Sequence, residues 1–149
     1  MPTPPPADSP FWKAFEVLTS VNTKLFRLTD GRIGGSFGKA KILLLHHKGA
    51  KSGKERVSPL LYLRDGDRLV IVASKGGTNK HPAWFHNLMA NPDTLVELPR
   101  EKRKVHARKA TDEERAELWP RLVDMYGQYE DYQSYTDRKI TLVVLERSA

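Results

Sequence analysis

The apolar positions along this chain follow two periods. Between residues 9 and 29, Phe11, Ala14, Phe15, Val17, Leu18, Val21 and Leu25 recur at the three-to-four-residue spacing of an amphipathic helix. "GRIGGSFGK" breaks that pattern. Beyond it the apolar residues gather into short runs rich in leucine and β-branched side chains: "KILLLHH", "RVSPLLYLR", "RLVIVAS", "TLVEL", "KVHARKA" and "ITLVVLE". Each run is bounded by turn residues and predicts a strand. Asp65 and Gly66 predict a tight hairpin between the second and third runs, and "PREKR" a hairpin between the fourth and fifth. His81 and Pro82 supply the cap and first position of a helix reaching about Ala90. Thr111 with Glu114 makes a capping box that opens a further helix, ending near Gly127.

Six strands joined mostly by hairpins, with three helices that do not alternate regularly with them, predict a mainly β fold with flanking helices. A largely antiparallel sheet or small barrel fits this order, and a doubly wound parallel sheet does not. The 149 residues suffice for one domain with a real core. The proline-rich residues 1–10 read as a disordered leader and residues 11–149 as the single domain.

Composition narrows the chemistry. The chain has no cysteine, which removes disulfides, thiol nucleophiles and iron–sulfur ligation and fits a reducing compartment. The N-terminus lacks a basic segment followed by an apolar one, and no stretch approaches the ~20 apolar residues of a membrane span, so the expectation is a cytoplasmic protein. The net charge of +7 is concentrated: residues 39–56 carry six Lys or Arg against Glu55, and residues 100–109 carry six against Glu101. Such clusters suit an anionic partner, whether nucleic acid, an acidic membrane face or a polyanionic small molecule, or form a solvated surface.

Two short motifs lead nowhere. Gly34, Ser36 and Gly38 spell G-x-S-x-G, but a nucleophile elbow follows a strand and opens a helix, whereas here a helix precedes and a strand follows. The five histidines lack metal-ligand spacing: His46 and His47 alternate across a strand, His81 and His86 are five apart, and His106 stands alone, so no metal site is expected. In "GAKSGKERVSP" three residues separate Gly49 from Gly53, and Lys54 precedes Glu55, which excludes a Walker loop. "AKSGKER" and "ASKGGTNKHPAW" nevertheless share a character, each leaving a strand and presenting Ser, Gly and Lys. If their strands are neighbours, Lys51, Ser52, Arg56, Ser74 and Lys75 converge on one anionic group. If not, they are ordinary turns with solvated lysines. Tyr126, Tyr129, Tyr132 and Tyr135 recur every third residue in "YGQYEDYQSY", as a packed face does and as the wall of a pocket needing both an apolar surface and a donor also does.

The stretch "GAKSGKERVSPLLYLRDGDRLVIVASKGGTNKHPAWFHNLMANP", together with "GRIGGSFGK", "ATDEERAELWPRLVDMYGQYEDYQSYTDR" and the closing strand, resembles the deazaflavin-dependent nitroreductase family, which uses reduced coenzyme F420, an 8-hydroxy-5-deazaflavin. The resemblance implies a split β-barrel of the FMN-binding kind. It implies a phosphate cradle of Ala50, Lys51, Ser52, Arg56 and Lys75, and strand edges Val57, Ser58, Pro59, Leu60, Leu61, Ala73 and Ser74 beside the ring system. Ala83, Trp84, Phe85 and Asn87 would line the groove from the helix, with Tyr129 over the ring. Tyr126, Tyr129, Tyr132 and Leu61 would meet the substrate, and Tyr129, Tyr132 and Ser74 would take the catalytic roles of proton donor or holder of the acceptor oxygen. The implied reaction is hydride transfer to a quinone, nitroaromatic or conjugated enone, and the empty search for nucleophiles and metals agrees with a coenzyme that brings its own chemistry. In the nitroimidazole-activating branch Tyr stands at the position of Leu61, Asn at Ser58 and Trp at Tyr135, so the resemblance implies the coenzyme more directly than a drug-like substrate. The rival readings are an FMN-binding split barrel and a basic nucleic-acid-binding module. The expectation is no nucleic-acid partner, because stacking platforms interleave aromatics with charge and these segments do not. Residues 9–29 are a candidate peripheral contact with the inner membrane face.

Overall fold

The computed structural model describes residues 36–37, 40–74 and 81–148. The leader, the helix expected over residues 9–29, most of "GRIGGSFGK" and Lys75 lie outside the described residues. Seven strands occur among those described: β1 (Ser36–Phe37), β2 (Ala40–Lys48), β3 (Glu55–Asp65), β4 (Arg68–Ala73), β5 (Asp93–Leu98), β6 (Glu101–Lys109) and β7 (Thr141–Arg147). The helices are α1 (Ala83–Ala90), α2 (Asp112–Met125) and α3 (Gln128–Ser134). Every pairing is antiparallel, in the order β1-β2-β3-β4-β7-β6-β5, and β5 returns to β2 to close a six-stranded barrel.

Alternation explains the barrel wall. Leu43, Leu45, Leu60, Tyr62, Leu69, Ile71, Ala73, Val105, Ala107, Val143 and Leu145 fill the interior, joined by Trp84, Phe85 and Leu88 of α1, which plugs one end. The alternate residues Val70, Val72 and Leu142 face outward, into a second cluster with Leu118 and Leu122 of α2 and Tyr129 of α3. β4 and β7 are thus apolar on both faces because each face meets a core, the reason "RLVIVAS" and "ITLVVLE" read as continuous apolar runs. At the far end of the barrel the buried Arg103 guanidinium donates to the Asp67 carbonyl at 3.4 Å and the Glu101 carboxylate at 3.1 Å, tying the two hairpins together.

Both hairpin turns are two-residue loops, the first as tight as the sequence predicts and the second tighter. Asp65 pairs with Arg68, so the first hairpin loop is Gly66-Asp67, with positive φ at Gly66 (60°). Left-handed backbone at the first loop position is what a II′ connection needs, and glycine supplies it without steric cost. Leu98 pairs with Glu101, so "PREKR" reduces to Pro99-Arg100, with φ 63° at Arg100. Pro82, not His81, caps α1. Both reciprocal hydrogen bonds of the Thr111–Glu114 capping box are present at the start of α2, but the helix stops at Met125, and the tyrosine-rich segment that follows forms α3.

Candidate functional site

The barrel is split along one seam. β3 and β4 pair only at Asp65–Arg68, Arg64–Leu69 and Leu63–Val70, next to their hairpin. Beyond that point β3 keeps its ladder with β2 as far as Glu55, and β4 keeps its ladder with β7 as far as Ala73. The edges of Val57–Leu61 and Ile71–Ala73 therefore face each other without a ladder. Pro59, in the middle of β3, has no N–H to donate, and a strand tolerates proline only along an unpaired edge. That residue is the local signal from which the opening could have been read.

The seam opens toward the end of the barrel that gathers the loop between β2 and β3, the end of β4 and the plug α1. The strands that precede the two loops, β2 and β4, are not neighbours as the sequence reading required, because β3 lies between them; the loops share only the same end of the barrel. Lys51, Ser52 and Arg56 lie exposed at this end, and Ser74 is buried at the end of β4. The loop is built around its glycines. Gly53 sits at φ 69°, and a Cβ on Gly49 would come within 2.3 Å of the Ser52 hydroxyl. Gly49 N–H donates to the Lys54 carbonyl and Gly53 N–H to the Gly49 carbonyl, both at 2.9 Å, while Ser52 Oγ accepts from Lys54 N–H at 3.2 Å. The N–H groups of Lys51 and Ser52 have no acceptor among the described residues. Exposed N–H donors of this kind, next to the Lys51 side chain in the same loop, are the chemistry that an anion accepts.

Other site residues divide between the two cores. Leu60 faces the barrel interior, as do Trp84 and Phe85, whereas Ala83 is exposed at the start of α1. Leu61 lies outside, in the cluster that also holds Tyr126, Tyr129 and Tyr132, so the four expected substrate residues come together there. Tyr129 is buried, with its ring 4.9 Å from that of Tyr126 and 6.4 Å from that of Trp119. The Tyr126 and Tyr132 hydroxyls are 3.0 Å apart, and both reach Gln128 Oε1, at 2.9 and 3.0 Å. Burial raises the Tyr129 phenol, and burial with the Tyr126 hydrogen bond raises Tyr132. Both remain protonated at neutral pH.

Sequence reasoning gave no role in this site to three groups at this end. Arg138 donates to the Ala73 and Ser74 carbonyls at 3.2 and 2.8 Å and so fixes the end of β4. His81 stacks on Phe85 with centroids 4.3 Å apart, and burial, with Arg138, His86 and Lys109 nearby, lowers its pKa. His47, inside the barrel mouth, contacts Ser58 Oγ at 2.9 Å and Asn87 at 3.0 Å. Burial, with help from Arg56 and His46, lowers its pKa to about 4. No local signal marks these residues, because their partners lie far away in the chain.

The profile of the F420H(2)-dependent quinone reductase family matches residues 18–147. The chain belongs to that family. The F420H(2)-dependent quinone reductase Rv1261c of Mycobacterium tuberculosis is 41% identical over 134 residues, covering 87% of this chain and 90% of the relative. A solved F420-H2-dependent reductase is 40% identical, with TM-score 0.66 over 70% of this chain and 93% of its own. The haem storage protein HutZ of Vibrio cholerae, 14% identical with TM-score 0.55 over 88% of this chain and 91% of its own, shares the fold alone. The family, the split-barrel fold and reduced coenzyme F420 as the cofactor agree with the resemblance read from the sequence. The residues present suit such a coenzyme: the Gly49–Lys54 loop carries cations and N–H donors of the kind a phosphodiester accepts, and the strand edges along the seam are left without a ladder.

The buried His47 also gives an expected pH dependence. Its pKa falls from 6.5 to about 4 on folding, so between those values the unfolded chain binds more protons. Stability should then rise with pH across that window and fall by up to about 3 kcal/mol on acidification through it. In denaturant melts, His47→Gln should flatten the curve between pH 6.5 and 4. An unchanged slope would show that another group carries the dependence.

Proposed function

We propose that this protein transfers a hydride from reduced F420 to an electron-poor acceptor, a quinone first and a nitroaromatic or conjugated enone as a wider class. The observation that carries this reading is the β3–β4 seam, which opens toward the end of the barrel that also carries Lys51, Ser52, Arg56 and Ser74. Lys51 and Arg56, with the N–H groups of Lys51 and Ser52, would hold the phosphodiester, with Lys75 as a further cation. Val57–Leu61 and Ala73–Ser74 would border the ring, and the plug α1 would close the slot from within the barrel. Reduced F420 supplies the hydride when bound. The acceptor gains one hydride and one proton, a quinone becoming a hydroquinone.

The tyrosine cluster serves the proton side of that balance. Kept protonated by burial, Tyr129 would donate to the developing oxyanion, and Tyr132, whose proton goes to Gln128 Oε1 in this structure, would turn it to the same oxyanion when an acceptor binds, with the Tyr126 hydroxyl donating to its oxygen. Ser74 would hold an acceptor oxygen. Tyr132→Phe keeps the apolar wall and should lower turnover several-fold with coenzyme affinity unchanged. Tyr129→Phe should behave likewise and also weaken ring binding. Parent rates in both variants would reduce the cluster to packing.

Among the described residues no helix is long and apolar enough to cross a membrane. A cytoplasmic location, with residues 9–29 resting on the inner membrane face, would bring the site to a lipophilic quinone. Removing residues 1–20 should then slow a long-tailed quinone and spare a soluble acceptor. The deciding experiment for the coenzyme is a fluorescence titration with F420 and with FMN, followed by anaerobic oxidation of reduced F420 by menadione and by nitro compounds. Equal or tighter binding of FMN would overturn the assignment.

A further inference from the structure

Ala50, Asn87, His47 and Ser58 form a chain of hydrogen bonds whose polarity has one solution. The Ala50 N–H can only donate, so the amide oxygen of Asn87 accepts it, at 2.9 Å. The Asn87 NH2 is left facing His47 Nδ1 at 3.0 Å and must donate, so Nδ1 carries no proton. The neutral ring then bears its proton on Nε2, 2.9 Å from Ser58 Oγ. Ser58 accepts there, and its own proton has no acceptor among the described residues. His47 and Asn87 are 5% and 8% exposed, which keeps water from scrambling this order. Ser58 is half-buried on the part of β3 that has no ladder toward β4.

The order is the reverse of a serine hydrolase. There a carboxylate takes the Nδ1 proton, and the free Nε2 draws the proton from serine. Here the asparagine donates, and the ring cannot accept the Ser58 proton. We propose that His47, set by Asn87, is a positioning residue of the coenzyme site that holds Ser58 as an obligatory hydrogen-bond donor toward an acceptor atom of the flat heterocycle in the seam. That atom is a carbonyl oxygen or an unprotonated ring nitrogen. Through Ala50, the same chain ties this donor to the anion-binding loop, so the two ends of one ligand are read by a single connected unit. The inference rests on the coenzyme reading above.

Its first test needs no coenzyme. Long-range 1H–15N correlation of the imidazoles in ligand-free protein, with His47→Gln for assignment, should show His47 as the Nε2–H tautomer, neutral from about pH 5 to 8. An Nδ1–H tautomer, or protonation within that range, would overturn the chain whatever the protein binds. The second test uses F420 fluorescence. Ser58→Ala should raise the Kd about tenfold. Asn87→Asp offers no donor, so its carboxylate should switch the neutral ring to the Nδ1–H tautomer, draw the Ser58 proton inward and raise the Kd by a similar factor. The double variant should bind no worse than either single one, since both act through one hydroxyl. An unchanged Kd in Ser58→Ala, or a tautomer switch in Asn87→Asp with parent affinity, would overturn the donor role. Failure of the parent protein to bind F420 would overturn the coenzyme reading and the donor role together, with the tautomer result still standing on its own.

Discussion

Replacing Lys51 by alanine is expected to weaken F420 binding tenfold or more, and Arg56→Ala to do the same, with the melting temperature nearly unchanged. Both side chains are exposed at the end of the barrel where the seam opens, and neither takes part in an ion pair with the described residues. Their removal therefore breaks nothing that holds the fold. A hydrogen bond to a charged partner is typically worth about 1.5–3 kcal/mol, which is one to two decades in Kd. The loop itself is maintained by Gly53, by Gly49 and by the Ala50–Asn87 bond, so its N–H donors stay in place in either variant. The double variant should lose close to the product of the two factors, and the loss should shrink as salt is raised, because these charges sit in water. Fluorescence titration at two ionic strengths checks both points. Parent affinity in both single variants would move the anion site away from this loop.

The largest effect on stability is expected at Glu114. One oxygen of its carboxylate accepts from Arg108 at 2.7 Å and from the Thr111 N–H at 2.9 Å, and the other accepts from Arg108 at 2.9 Å and from Arg68 at 2.8 Å. A single side chain thus caps α2 and fastens it to β6 and β4, over the outer core that holds the tyrosine cluster. Glu114→Ala should cost about 2–3 kcal/mol, from the lost cap and from the charged hydrogen bonds, discounted because the carboxylate is 20% exposed. For a chain of 149 residues that corresponds to a fall of roughly 6–10 °C in melting temperature. Glu114→Gln, which can still close the capping box, should cost about half as much and so isolates the charge. Arg108 and the Thr111 N–H hold the Glu114 carboxyl well below the usual carboxylate range. Its contribution is therefore complete above the unfolded value of 4.5 and is lost as pH falls below it, a loss that Glu114→Gln should abolish. Thermal melts of the three proteins at pH 7 and pH 3 measure the effect, and equal melting temperatures would assign the cap and the ion pairs no weight.

Much of the fold was written in local pattern. Alternation and apolar runs located six strands, Thr111 and Glu114 located the start of α2, and the turn residues located both hairpins to within a residue or two. Each of these signals lies within one element, where period and capping chemistry act. The glycines and cations of residues 49–56 were legible for the same reason, since a tight loop and a positive φ make demands on single positions.

What only the tertiary structure decided are the pairings between distant edges. Nothing in a two-residue period says that β5 returns to β2, through Leu44–Glu97 and Leu45–Val96, or that β3 and β4 part after Leu63 and Val70. Alternation determines which face of a strand is buried and is silent about which edge meets which. α3 escaped for a related reason. A seven-residue helix with tyrosine every third position has little propensity of its own, and it is held by burying Tyr129 against a core supplied by β4, β7 and α2. His47 reads in the sequence as one of two adjacent histidines on a strand. Its depressed pKa arises from burial, with Arg56 and His46 nearby, and its Nδ1 contact comes from an asparagine forty residues away that is itself oriented by one backbone N–H. Local physics selects the elements, whereas the polarity of a buried hydrogen-bond chain exists only once the barrel has brought its members together and excluded water.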